Sequence, residues 1–385
     1  MRSIPGGGRF RQRSPARSVF ATLRRIDLPT EGEVSWCHMS DEPEILFEHR
    51  GALGLITLNR PRALNALTHA MCVEMKAQLD AWAQDSGVKC VAIRGAGERA
   101  FCAGGDIRAL YESGKAGTPY ALDFYRDEYR LDAAVKHFPK PYVALLHGIV
   151  MGGGVGVSVN GIQRVADESV VFAMPETGIG LFPDVGGSYF LPRCPGEIGM
   201  YLGLTGARLK AMDAIYAGIA THYVPAAKTE SLIERLAAGT PFGWAVGELV
   251  EPVAQAPLAA QRADIDRFFS AASVEEILAR LDADGGEWAA ATAKTIRTKS
   301  PTSLKIAFRQ IREGKALKFD DCMRMEFRMV NRIIAGHDFY EGVRAAIIDK
   351  DGAPRWQPAD LAGVTPMQVD AYFAPLETEL NLSTI

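Results

Sequence analysis

Two carboxylates, Glu176 and Asp184, stand in the stretch FAMPETGIGLFPDVGG (172–187), a run dominated by apolar residues, glycine and proline. Carboxylates are seldom buried without a partner or a task. Each follows a proline, Glu176 at the end of a strand-like run and Asp184 just before a glycine pair. Acids on rigid loops at strand ends suit proton transfer to a bound substrate. The competing reading is structural: either acid caps a nearby helix or pairs with Arg193. If both lie in one site, each raises the other's pKa.

Two glycine stretches offer what such acids would work against. AFCAGGDI (100–107) carries Gly104 and Gly105, and HGIVMGGGVGVSVNG (147–161) carries three consecutive glycines before an apolar helical run. Glycine lets main chain approach a ligand closely, and amides at a helix start lack internal acceptors and favour negative charge. Two such amides from separate loops could hold one oxygen, as an oxyanion hole requires. A dinucleotide site is a poor reading, because the G-x-G-x-x-G spacing and its following acid are missing. Nearby, His147 reads as a satisfied core histidine and Asp106 as a helix cap. Cys102 has no activating partner in the sequence.

The elements that would position these groups alternate. LGLITLN (53–59), KCVAIRG (89–95), YVALLHG (142–148), RVAD (164–167) and VVFAMPE (170–176) read as strands. Thr68 is placed to cap a helix with Met71, Met75, Leu79 and Trp82 on one face. Strands with intervening helices imply an α/β layer structure. The charge-free run 141–163 is near membrane-span length but holds His147, Asn160 and six glycines. It reads as a buried strand leading into a glycine turn and helix. Beyond about residue 230 the pattern is helical. Ser273 with Glu276 and Asp338 with Glu341 read as capping boxes, and Ser300-Pro301 as a helix start closing at Gly314. Met and aromatic positions in 322–333 read as a core stripe.

The domain expectation is an N-terminal extension over 1–38, an α/β core over 39–230 and a helical region over 231–385 packed on that core. Seven arginines precede the first acid, Asp27. The segment reads as a disordered extension ahead of a domain start at Met39, with a cytoplasmic protein as the result. The alternative is a transit peptide and the mitochondrial matrix. A net charge of −3 gives no case for nucleic acid. Six cysteines without a CxxC pair or His cluster point to reduced thiols and no metal site.

Taken together, CAGGD, HGIVMGGGVG and MPETGIGLFPDVGG resemble the crotonase (enoyl-CoA hydratase/isomerase) superfamily. Within it they look most like the group that hydrolyses 3-hydroxyisobutyryl-CoA, a step of valine catabolism. The likeness runs through LTGARLKAMDAIYAGIATHYV (204–224) and DFYEGVRAAIIDKDGAPRWQPADL (338–361), covering about 44–375. The resemblance implies a spiral of ββα units, a helical C-terminal region completing the site, and acyl-CoA as substrate. Coenzyme A then belongs to the substrate, and no cofactor is needed. It also implies an oxyanion hole from the amides of Gly105 and Gly153, Glu176 as catalytic acid-base, Asp184 as second acid, and Glu128 as a further substrate contact. LNRPRALNAL (58–67) resembles the CoA-side loop, with Arg60 or Arg62 toward phosphates. Similar hydratases carry a second glutamate where this chain has Gly156. A lone glutamate facing an oxyanion hole suits thioester hydrolysis better than water addition. A second copy of the chain is left open as a partner.

Overall fold

The computed structural model describes residues 42–382; the expectations for 1–38 lie outside them. Ten strands form two sheets, with β1 Ile45–Arg50, β2 Leu53–Leu58, β3 Cys90–Gly95, β4 Ala100–Cys102, β5 Tyr142–Leu146, β6 Ile149–Met151, β7 Gln163–Ala166, β8 Val171–Ala173, β9 Leu209–Lys210 and β10 His222–Tyr223. The larger sheet runs β1-β2-β3-β5-β7-β10 and the smaller β4-β6-β8-β9. Consecutive strands alternate between sheets: β3 then β4, β5 then β6, β7 then β8. Each step winds the chain one turn around the molecule, which is the ββα spiral in physical terms. Apart from β1–β2 and β8–β9, neighbours are parallel.

The inner strands β2, β3 and β5 of the larger sheet are buried on both faces, so they read as nearly unbroken apolar runs. The two-residue period sorts the side chains. Ile56, Leu58, Val91, Ile93, Ala144 and Leu146 face the main core. Leu53, Leu55, Ala92, Val143, Leu145 and Val165 face a second cluster, closed by Leu232, Ile233 and Leu236 of the helix Thr229–Ala237 and by Phe242. The main core continues without a break into the C-terminal helices through Phe269, Ile306, Met329 and Phe339.

Thr68 caps α1 (His69–Gln84), accepting from the Met71 amide, and Met71, Met75, Leu79 and Trp82 are all buried. The charge-free run folds into β5, β6 and the short helix Gly153–Val159. Among the described residues no helix is long and apolar enough to cross a membrane. Ser300 caps the helix Pro301–Gly314. Two capping expectations are corrected. Ser273 accepts from the Glu276 amide, but the Glu276 carboxylate takes the Ala272 amide instead of closing the box. Asp338 caps nothing; it is buried and accepts from the Ser300 hydroxyl (2.6 Å) and the Gln357 amide (2.8 Å), tying two distant segments together.

Gly156 shows how tightly the short helix is packed. A Cβ there would collide with Asp132 Oδ1 and come within 2.9 Å of Val185 Cβ. Gly156→Ala is therefore expected to destabilise the fold by about 1–3 kcal/mol through overpacking. Its thermal midpoint should fall by several degrees; a midpoint equal to the parent's would mean the surroundings give way freely.

Candidate active site

The smaller sheet decides the geometry. β4, β6 and β8 lie side by side and parallel, and adjacent strands sit about 4.8 Å apart. Their carboxyl ends release three segments at one edge: Cys102 leads to Gly104-Gly105, Met151 to Gly152-Gly153, and Ala173 to Pro175-Glu176. Groups some 70 residues apart in sequence thus emerge as neighbours. Carboxyl ends of parallel strands are where ligands bind in open α/β sheets.

The first loop is pinned by Leu67, whose amide donates to Gly104 O (2.8 Å) while its carbonyl accepts from Asp106 N (2.9 Å). Strand-like alternation then turns the Gly105 amide the other way. Gly153 opens its helix, where an amide has no intrahelical acceptor. Among the described residues neither amide has an acceptor. A Cβ built on Gly153 would stand 3.4 Å from Gly105 N, and one on Gly152 would stand 3.8 Å from Glu176 Oε1 and 4.0 Å from Gly105 N. Both amides and the Glu176 carboxylate therefore surround one small volume. Gly152 turns the chain into it with φ 48° and ψ −127°, a conformation costly for any other residue.

Glu176 opens a 3-10 turn (Glu176–Ile179) and is only 4% exposed, with Oε2 lacking any partner among the described residues. Burial holds its carboxyl well above the usual range; Asp184 adds to this and Lys299 opposes it. Asp184 is also buried and accepts from the Tyr129 hydroxyl at 3.0 Å. Burial lifts its pKa to about 7, against the pull of that hydrogen bond. Glu128 reaches in from the helix Tyr120–Lys136, its Oε1 unpartnered among the described residues and placed where a Gly153 Cβ would collide with it.

The loop carrying Asp184 is gripped from three sides. Gln310 donates to the Pro183 carbonyl (2.5 Å), Asn160 to the Val185 carbonyl (3.0 Å), and Glu326 accepts from the amides of Gly186 and Ser188 (2.9 Å each) and from the Ser188 hydroxyl. Val185 sits at φ 50°, strained for a β-branched residue and held there by this grip. The C-terminal helices thus shape the site by fixing its loop.

Known proteins share this sequence and fold. The family model described as "Enoyl-CoA hydratase/isomerase" matches residues 53–373. The chain belongs to this family. A curated protein of Danio rerio, "3-hydroxyisobutyryl-CoA hydrolase, mitochondrial", is 51% identical over 350 residues, covering 88% of this chain and 92% of its own. The protein of the same name from Homo sapiens is 47% identical over 349 residues, 88% of this chain and 90% of its own. A solved structure titled as a carnitinyl-CoA dehydratase from Mycobacterium thermoresistibile matches with TM-score 0.85 at 42% identity, covering 89% of this chain and 99% of that one. One titled as an enoyl-CoA hydratase from Rhodobacter sphaeroides 2.4.1 gives 0.82 at 42%, covering 88% and 100%.

Of the residues that the likeness to this enoyl-CoA hydratase/isomerase family singled out, Gly105, Gly153, Glu176, Asp184 and Glu128 lie together. The Arg60 guanidinium bonds Glu44 (2.9 Å), Asp106 (3.1 Å) and the Ala66 carbonyl (2.7 Å), which braces the 60–67 loop. Arg62 is exposed on the turn Pro61–Ala63 and has no salt bridge among the described residues. Asp106 caps the helix Ile107–Ala116, and burial pushes the Cys102 thiol up to about 12. His147 is half-buried and bonds the Gly97 carbonyl.

The picture of one glutamate facing an oxyanion hole was incomplete. Asp132 is fully buried with both oxygens unpartnered among the described residues, and it fills the notch left by Gly156. The signal for it was the i,i+4 spacing from Glu128 on a helix face shared with Phe124, Tyr125 and Tyr129. Glu326 stands inside the Met and aromatic stripe of 322–333, which is buried as read. An acid on the apolar face of a helix was the sign that it had a task.

Proposed function

We propose that this chain hydrolyses 3-hydroxyisobutyryl-CoA to 3-hydroxyisobutyrate and CoA. The observation that supports it best is the meeting of two acceptor-free glycine amides with a buried glutamate at one sheet edge. The thioester oxygen lies between the Gly105 and Gly153 amides, which stabilise the negative charge that develops as the carbonyl is attacked. Glu176 takes a proton from the attacking water, or attacks directly to give an anhydride that water opens. In both routes the carbon–sulfur bond breaks and the thiol leaves protonated.

Asp184, titrating near neutrality, can donate to or accept from the substrate's 3-hydroxyl, with Glu128 holding the same end. Asp184→Asn is expected to lower kcat/KM for 3-hydroxyacyl-CoA by about tenfold or more relative to plain acyl-CoA, the cost of a lost bond to a buried polar group. Parallel kinetics on both substrates check this; equal losses would remove the hydroxyl-reading role.

The two structural neighbours, named as a dehydratase and a hydratase, favour a second reading, hydration or dehydration of an enoyl-CoA. Against it, the place where similar hydratases carry a second glutamate is Gly156, and Asp132 and Val185 leave no room for a longer side chain there. CoA release across C3–C5 hydroxyacyl-CoAs, measured beside crotonyl-CoA hydration on one preparation, separates the two. Hydrolysis is expected; hydration without CoA release would reverse the assignment.

The cytoplasmic placement finds no support, since the curated relatives are named as mitochondrial. The arginine-rich start agrees better with the alternative, delivery to the mitochondrial matrix, which tagging the chain at its C-terminus and fractionating cells would test.

A further inference from the structure

Glu176 faces an electrostatic difficulty that the reaction alone does not resolve. It is buried beside Asp184, with Glu128, Asp132 and Glu326 in the same region, and all five carboxyls are pushed upward by burial. A general base must be ionised to act, and an isolated buried carboxylate is strongly disfavoured. A cation close to the turn would favour the ionised form.

Lys299 is that group. The Ser300 amide donates to the Thr177 carbonyl (3.1 Å), which fastens the chain at Lys299 to the 3-10 turn that begins with Glu176. A Cβ at Gly178 would stand 3.3 Å from the Lys299 Nζ, and one at Gly206 would stand 3.5 Å from it. The ammonium thus lies close to the main chain at Gly178, within the turn, and at Gly206. Lys299 is half-buried; its amide donates to the Ile296 carbonyl (3.0 Å), while its ammonium has no salt bridge or hydrogen bond among the described residues. We infer that Lys299 is a positioning residue for Glu176, its ammonium held against the 176–179 turn to keep the buried carboxylate ionised. Burial lowers the lysine's pKa to about 8, and the attraction of Glu176 works against that shift.

The other groups facing this turn cannot take the role. Asp184 comes from the following loop, and Tyr125 comes from the helix Tyr120–Lys136. Asp338, on the helix Asp338–Val343, is bonded to Ser300 and Gln357. All are acidic or neutral.

The inference rests on Glu176 being the reacting carboxylate. Its test is the pH dependence of kcat/KM on 3-hydroxyisobutyryl-CoA for the parent, Lys299→Met, Lys299→Gln and Lys299→Arg. Loss of an attracting charge raises a carboxylate's pKa. The acid limb should therefore move to higher pH by about one unit in the Met and Gln variants and stay in place in the Arg variant. Met and Gln limbs superimposed on the parent's would overturn the role, whatever happens to thermal stability. Glu176→Gln, run alongside, separates the two readings. If it turns over at the parent's rate, the functional assignment fails. If it is dead while the limbs do not move, only the lysine's role fails.

Discussion

Glu176→Gln abolishes CoA release while the protein still binds acyl-CoA. The amide has the size of the carboxylate it replaces and can still fill the buried site, so packing around the 176–179 turn is kept. What it loses is the ability to accept a proton or to attack. General acid–base catalysis contributes about 10²–10⁴-fold, so kcat should drop by at least that range. Binding measured by calorimetry with an unreactive acyl-CoA should change less than tenfold. Because burial holds the parent carboxyl above its usual range, removing the charge also relieves a desolvation cost, and the thermal midpoint should hold or rise. Near-parent turnover would transfer the chemistry to another group.

Gly153→Ala makes the complementary cut on the other side of the substrate. Gly153 has ordinary helical backbone, so alanine can be accommodated by the chain itself. Its methyl, however, would collide with Glu128 Oε1, stand 3.0 Å from Leu67 Cδ1 and 3.4 Å from the Gly105 amide. It would lie in the space the thioester oxygen needs. Alanine keeps the amide N–H, but a methyl that keeps the oxygen away from it should cost what losing one donor costs, about 10²–10³-fold in kcat, and displacing Glu128 adds to it. The expected outcome is a folded protein with kcat reduced by about 10³-fold, read by steady-state CoA release with folding checked by circular dichroism. A fall in affinity with kcat intact would mean that the oxygen is held elsewhere.

The residues that make the site were legible because their types are unusual for their setting. Paired glycines ahead of helices, and acids inside apolar loops, stand out in any window. The inner strands β2, β3, β5 and β7 of the larger sheet were legible too, from their apolar runs; the edge strands β1 and β10, half-buried and carrying polar residues, were not. What was not legible is the element that brings the site together. β4 and β6 are three residues each, too short to show any period, and they read as parts of glycine loops. Convergence of the two amides and Glu176 follows from those strands lying beside β8, which only pairing at long range specifies. Asp132 and Glu326 escaped for a different reason: each looks like a solvated helix acid until the partner face is known. For Arg60 the sequence shows a cation in a suitable loop but not the Glu44 and Asp106 carboxylates that hold it.

The most direct test follows the carbonyl itself. An acyl-CoA labelled with 13C at the thioester carbon, bound to Glu176→Gln so that it is not consumed, reports the environment of its oxygen by isotope-edited infrared spectroscopy. Two amides aimed at that oxygen should lower its stretching frequency below the value in water, and adding Gly153→Ala should return most of the shift. A frequency equal to or above that of free substrate, unmoved by Gly153→Ala, would contradict the arrangement.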